Sequence, residues 1–207
     1  MNTENTMPVR IYGNSPEVEK SLMLDEHTSR KLAAIIIYSG DIEYYLELAI
    51  WRLKNIDPKG TRPFTDAKNI TDLIKVFEDC APETADERKL HWINTWSIAT
   101  RSAFIIRNNI AHGLTIPMDT QISFMRNGRW HGQERKRPFG DFWCDPHTLD
   151  FTADSFATLR RMIGSLAVTK QTVDEVGNKL AVKALNEARS ILGEFAQRAY
   201  NPSFEKY

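Results

Sequence analysis

Residues Leu32 to Leu53 read LAAIIIYSGDIEYYLELAIWRL, and the fold follows from how this stretch is read. Leu32, Ile35, Ile36, Ser39, Ile42, Leu46, Ala49, Ile50 and Leu53 recur at three- and four-residue steps. That spacing lays them along one face of an α-helix and predicts a long amphipathic helix from about Asp25 to Asn55. Asp57-Pro58-Lys59-Gly60 supplies turn chemistry to stop it. Gly40 sits inside this helix, where glycine costs about 1 kcal/mol relative to alanine, and points to close packing there.

Downstream, Asp66 is placed to cap a second helix running through Phe77, with Leu73, Ile74 and Phe77 inward. Pro82 and Thr84 open a third, from about Asp86 to His112, with Leu90, Ile93, Ile98, Phe104, Ile105 and Ile110 as its apolar positions. Gly113 follows at once, where a left-handed C-terminal glycine belongs, and Pro117 forbids continuation. Residues 114–150 change character. Asn127-Gly128, between short extended runs, is a hairpin signal, and Pro138, Gly140 and Pro146 exclude a long helix. Helical pattern resumes near Thr152-Ala153-Asp154 and covers most of the chain to Tyr200, with Gly164, Gly177 and Gly193 as candidate breaks. The expected fold is all-α, an up-and-down helical bundle with a small β-hairpin inserted around residues 116–145. Residues 25–200 read as a single domain, 1–24 as a loosely held leader and 201–207 as a tail.

Composition narrows the function. A chain of 207 residues, 42% hydrophobic and 26% charged, has the make-up of a soluble globular domain. Lys+Arg and Asp+Glu balance at 27 each, so any polyanion site must be a local patch. Cys80 and Cys144 have neither metal-ligand spacing nor a disulfide framework, which fits a reducing compartment. The polar first 15 residues lack the features of a signal peptide, and charges break every apolar run short of membrane length. A cytoplasmic protein without a membrane segment, a resident cofactor or a zinc site is expected. No Gly-rich phosphate loop is present, against a kinase or NTPase.

One segment carries chemistry: Arg107-Asn108-Asn109-Ile110-Ala111-His112-Gly113. An Arg and a His five residues apart mean little alone, since about one such chain in three holds the pair by chance. This chain holds it twice, the second time in Arg126-Asn127-Gly128-Arg129-Trp130-His131. Context separates them. The second pair straddles the Asn-Gly turn, whereas the first lies at a helix end, where Asn108 and His112 are i and i+4 on one face. A helix C-terminus also favours the protonated imidazole by about 0.3–1 kcal/mol. The plain reading is a helix cap, with His112 over the last carbonyls and Arg107 in a surface ion pair.

The same segment resembles the signature of the HEPN superfamily, Arg followed by four to six residues and His, with a polar residue after the Arg. Asp41-Ile42-Glu43-x-x-Leu46 is similar to the acidic-and-leucine pattern on the first long helix of such domains. The resemblance implies a metal-independent endoribonuclease, active as a homodimer, with motifs from two subunits facing across a cleft. It implies a toxin or antiphage role, with an antitoxin or inhibitor as partner. By position, His112 would be the general acid/base, Arg107 would neutralise the charge developing on the phosphorane, and Asn108 would orient His112 or the phosphate. Attack by a ribose 2′-OH would confine the reaction to RNA and leave a cyclic phosphate. The alternative is a non-catalytic module of this type that binds RNA, nucleotide or a protein partner.

Arg126, Arg129, His131, Arg135, Lys136 and Arg137, with Trp130, Phe139, Phe142 and Trp143, form a basic and aromatic segment suited to phosphate contact and base stacking on single-stranded RNA. The competing reading is a solvated hairpin with a rim ion-paired through Glu134 and Asp141. Asp41 and Glu43 are candidates to hold Arg107 or Arg101, against the blander reading of a solvated helix face. Tyr44, Tyr45 and Trp51 read as core or dimer-interface aromatics.

Overall fold

The computed structural model describes residues 7–57, 65–80, 87–128, 132, 136, 139–169 and 171–196. The long first helix is α3, Glu26–Leu53, preceded by two short helices, α1 (Pro8–Gly13) and α2 (Ser15–Ser21). Asp25 caps α3, its carboxylate accepting the Thr28 N–H at 2.7 Å. Ile35, Ile42, Leu46, Ala49 and Ile50 are fully buried, as the periodicity requires. Leu32 and Ile36 are half-buried and Leu53 is exposed, because the helix edge and its end lie outside the packed stripe. The stop comes at Asn55, which adopts φ +52°, with the N–H of Ile56 reaching back to the Trp51 carbonyl at 2.8 Å; of the expected turn, Pro58-Lys59-Gly60 lie outside the described residues. Within the stretch read as a leader, α1 and α2 are helical and bury no residue.

Helix α4 spans Ile70–Glu78 and α5 spans Glu87–His112. The cap of α4 is Asn69, not Asp66: the Asn69 amide oxygen accepts the Asp72 N–H at 3.0 Å, and Ala67 at φ +56° turns the chain between them. Leu73, Ile74 and Phe77 point inward as expected, and Phe77 meets Trp96 edge-on at 5.2 Å. After the sheet, α6 covers Pro146–Ala167, α7 is the short Val173–Val176 and α8 runs Lys179–Ala196. Gly177 is the break, closing α7, whereas Gly164 and Gly193 lie inside α6 and α8.

Helix α3 packs most extensively on α6, α6 on α8, and α8 on α5, which makes a helical bundle. The centre of the sequence runs through α5, which is buried on most sides. Trp92, Ile93, Trp96, Ala99, Ala103, Phe104 and Ile106 are all in the core. Of the positions read as its apolar face, Leu90, Ile98 and Ile105 instead stay 40–42% exposed. A helix surrounded by neighbours loses its simple amphipathic pattern, so only a narrow outer stripe remains wet.

The insertion is larger than one hairpin. Strands β1 (Leu114–Met118), β2 (Gln121–Arg126) and β3 (Gly140–Cys144) form an antiparallel sheet in the order β1-β2-β3. Its tight turn is Asp119-Thr120, with Asp119 at φ +41° and Met118 facing Gln121. Asn127-Gly128 instead begins the longer connection from β2 to β3, where Asn127 takes φ +57°. Pro117 lies in β1, an edge strand whose proline leaves the ladder intact on the other side. Phe124 and Phe142 stack across β2 and β3 with centroids 6.4 Å apart, and the sheet rests on the end of α5.

Candidate active site at the end of helix α5

The seven-residue segment divides by helix face. At about 100° per residue, Asn108 and His112 lie about 40° apart around α5, and Arg107 lies about 140° from His112. Asn108 and His112 therefore fall on the outer stripe with Ile98 and Ile105, and His112 is exposed. Arg107 turns toward α3 and α4. Its Nη1 donates to the Asn108 Oδ1 at 3.0 Å, so Asn108 orients the guanidinium rather than the imidazole.

Arg107 and Asn108 line an open cavity of about 530 Å³ between α3, the start of α4 and α5, with Gly40, Glu43, Tyr44 and Lys68. His112 does not line it. The Arg107 Nε is buried without a hydrogen-bond partner. Burial pushes the Glu43 carboxyl above the usual glutamate range, and the charge of Arg107 offsets only part of this. Among the described residues no ion pair joins Glu43 to Arg107, so acid and guanidinium face one cavity without closing on each other. Glu78 holds the neighbouring Arg101 by two hydrogen bonds of 2.7 and 2.8 Å, which fastens α4 to α5. Arg101 thus belongs to Glu78, and its hydrogen bonds draw the Glu78 carboxyl below the usual range. Asp41 belongs to Arg160 of α6, not to the site.

Two residues inside the segment have a different job, one that sequence reasoning passed over. Asn109 is fully buried, and its Nδ2 donates to the Asp141 carbonyl of β3 at 2.8 Å. Gly113 does not take a left-handed conformation. A Cβ there would meet the Asn109 carbonyl oxygen at 2.3 Å and the Met125 nitrogen at 3.1 Å, so glycine lets β2 approach the helix end. The signal was available: Ala99, Ala103, Ile106 and Asn109 continue the inner row of α5, a place where a polar side chain needs a fixed partner.

The basic and aromatic segment is only partly described. Arg129, His131, Arg135 and Arg137 lie outside the described residues, as do Trp130 and Glu134. Lys136 is exposed. Arg126 ends β2, half-buried, with its Nε lacking a partner. The Gly140 position lies against both Arg126 Nη2 and Asn109 Oδ1, so Arg126 sits beside the inner face of the helix end. Phe142 is in the core under Phe124 and is closed to base stacking, whereas Trp143 is 42% exposed. The Trp143 indole donates to Asp141 Oδ2 at 3.0 Å.

Other chemistry is sparse. Cys144 is buried and its thiol is pushed up to about 12, which makes it inert. Among the described residues no group of His, Cys, Asp and Glu could hold a metal ion. No described helix is long and apolar enough to cross a membrane. A further cavity of about 410 Å³ lies at the opposite end of α5 beside Trp92, remote from the segment's Arg and His. No protein-family model, curated protein or solved structure matches the chain, so the likeness to HEPN domains rests on residues Arg107 to Gly113 and the helical setting around them.

Proposed function

We propose that the chain is a metal-independent endoribonuclease of HEPN type whose active site is completed by a second copy. The observation that carries this reading is the end of α5, where Arg107 and Asn108 are joined by a hydrogen bond beside an open cavity and His112 stands exposed on the same helix end. Within one chain the cation and the imidazole diverge around the helix, which fits a site composed from two copies. The exposed residues Ile98, Ile105 and His112, with half-buried Asn108 beside them, offer the second copy a surface next to the chemistry.

In the reaction, one His112 takes the proton from a ribose 2′-OH, and the oxygen attacks the adjacent phosphorus. The bond to the 5′-oxygen breaks and the partner's His112 protonates that oxygen, leaving a 2′,3′-cyclic phosphate and a 5′-hydroxyl. Arg107 stabilises the charge on the phosphorane, and Asn108 fixes the guanidinium that does so. Arg126 and Lys136, with Arg129, His131, Arg135 and Arg137, would hold the RNA backbone beyond the scissile bond. The wider role in this reading is that of a toxin or antiphage effector acting in the cytoplasm and restrained by an inhibitor protein.

Incubation with single-stranded RNA in EDTA should give products ending in cyclic phosphate, and His112→Ala should reduce the rate at least a hundredfold. Cleavage that survives His112→Ala, or that needs Mg²⁺, overturns the mechanism. One observation favours a second reading: the cavity holds Arg107 and Asn108 but not His112, as suits a module that binds RNA, nucleotide or a protein without cutting. Saturable binding of uncut RNA, weakened by Arg107→Ala, would select it.

A further inference from the structure

The cavity beside Arg107 has features that cleavage alone does not require. Glu43 and Arg107 both face it, half-buried and oppositely charged, and no ion pair joins them. A carboxylate taken out of water without a partner is costly, and so is a buried guanidinium Nε with nothing to donate to. The two would be satisfied together by one ligand that offers hydrogen-bond donors to the acid and an anion to the cation. Exposed Lys68 also lines the cavity and adds a second positive charge for the anionic end, whereas the second acid there, Glu47, has an interaction of its own. Tyr44, 54% exposed on α3 next to Glu43, also lines the cavity.

Gly40 gives an independent indication. It lies mid-helix in α3, lines this cavity, and has nothing within 4 Å of where a Cβ would stand. The folded chain therefore uses its lack of a side chain for no internal packing. Glycine weakens a helix at that position, and its one evident effect is to keep the cavity mouth open. At about 530 Å³ the space is of the size that binds small ligands of nucleotide dimensions.

We propose that this cavity is a guanine-nucleotide subsite: phosphate on Arg107 and Lys68, ring on Tyr44, and the Watson–Crick edge on Glu43. Guanine is the base whose N1–H and exocyclic N2–H lie side by side, matching the two oxygens of one carboxylate. Uracil offers a single N–H flanked by carbonyls, which a carboxylate repels. Recognition of an unstacked base by an edge contact and an aromatic face is the ordinary mode for single-stranded RNA. The inference rests on the ribonuclease reading only for its consequence, a preference for guanosine next to the cleaved phosphate. The binding site itself does not depend on turnover.

Calorimetric titration with GMP, AMP, CMP, UMP and inorganic phosphate tests it, run beside an RNA cleavage assay in EDTA. GMP should bind at least tenfold more tightly than UMP, and inorganic phosphate more weakly than any nucleotide. Glu43→Gln should cut GMP affinity about tenfold and bring it to the UMP level. Tyr44→Ala should weaken all four nucleotides alike, and Gly40→Phe should abolish binding by filling the mouth. Absence of saturable nucleotide binding at millimolar concentrations overturns the subsite, as does GMP binding that ignores both Glu43→Gln and Tyr44→Ala. Nucleotide binding without RNA cleavage would leave the subsite standing and sink the ribonuclease. Cleavage without nucleotide binding would do the reverse.

Discussion

Asp41 and Glu43 stand two residues apart on α3, and the regions they face are opposites. Asp41 looks across the α3–α6 seam, where its carboxylate pairs with Arg160, whose guanidinium also lies 5.9 and 5.6 Å from the ring centres of Tyr38 and Tyr45. Nearby, Asp150 of α6 takes Lys31 at 2.6 Å and His27 at 3.1 Å, so the seam is closed by polar groups that answer one another. Glu43 looks the other way, into a cavity it shares with Arg107 without pairing. The seam has spent its polar groups on the fold. The α5 side has left some in reserve, and that is where a ligand has something to gain.

The sharpest way to break this contrast lies at the junction of α5 with the sheet. Gly113→Ala should lower unfolding free energy by about 2–3 kcal/mol in chemical denaturation, because the new methyl meets backbone atoms that cannot move cheaply. Stability unchanged by this substitution would show that β2 does not lie against the helix end. Asn109→Ala should cost about 1–2 kcal/mol by stripping the Asp141 carbonyl of its donor, an effect readable in the same assay. If it costs nothing, the inner half of the segment is not structural and the division by helix face fails.

On the open side the signs reverse. Gly40→Ala should raise stability by about 0.5–1 kcal/mol, since a methyl there meets nothing and alanine favours the helix. A loss of stability would mean that something packs on Gly40 after all. The smallest effect belongs to Glu43→Gln and is set by pH. Because folding raises this carboxyl, the folded chain holds its proton more tightly than the unfolded one, and stability contributed by the group falls as pH rises from 4.5 through the folded value. Glu43→Gln should therefore gain less than about 1 kcal/mol at neutral pH, and the gain should vanish below pH 4.5 in a pH series of denaturation midpoints. A gain that persists in acid would assign the effect to packing rather than charge.

Much of this was legible along the chain. The start of α3 near Asp25, the buried centre of its apolar stripe, the span of α5 and the inward positions of α4 are as the sequence implies, because each depends on neighbours three or four residues away. The β1–β2 hairpin was hidden because its Asp119-Thr120 turn lacks a glycine, while the stronger Asn-Gly signal marks only the exit from β2. The cap of α4 was misplaced because Asp66 and Asn69 are both competent caps, and only the turn at Ala67 decides between them.

For the site, the chain by itself determined which residues could do chemistry: Arg107, Asn108 and His112 at a helix end, a local property of spacing. Only the tertiary structure decided how they are used. It set Arg107 and Asn108 against Glu43, some sixty residues away in sequence, left His112 outside that cavity, and drew Asn109 and Gly113 into the sheet. The reason is physical: the helical period fixes direction around one axis, but which direction meets core, cavity or solvent depends on elements that arrive from elsewhere in the chain.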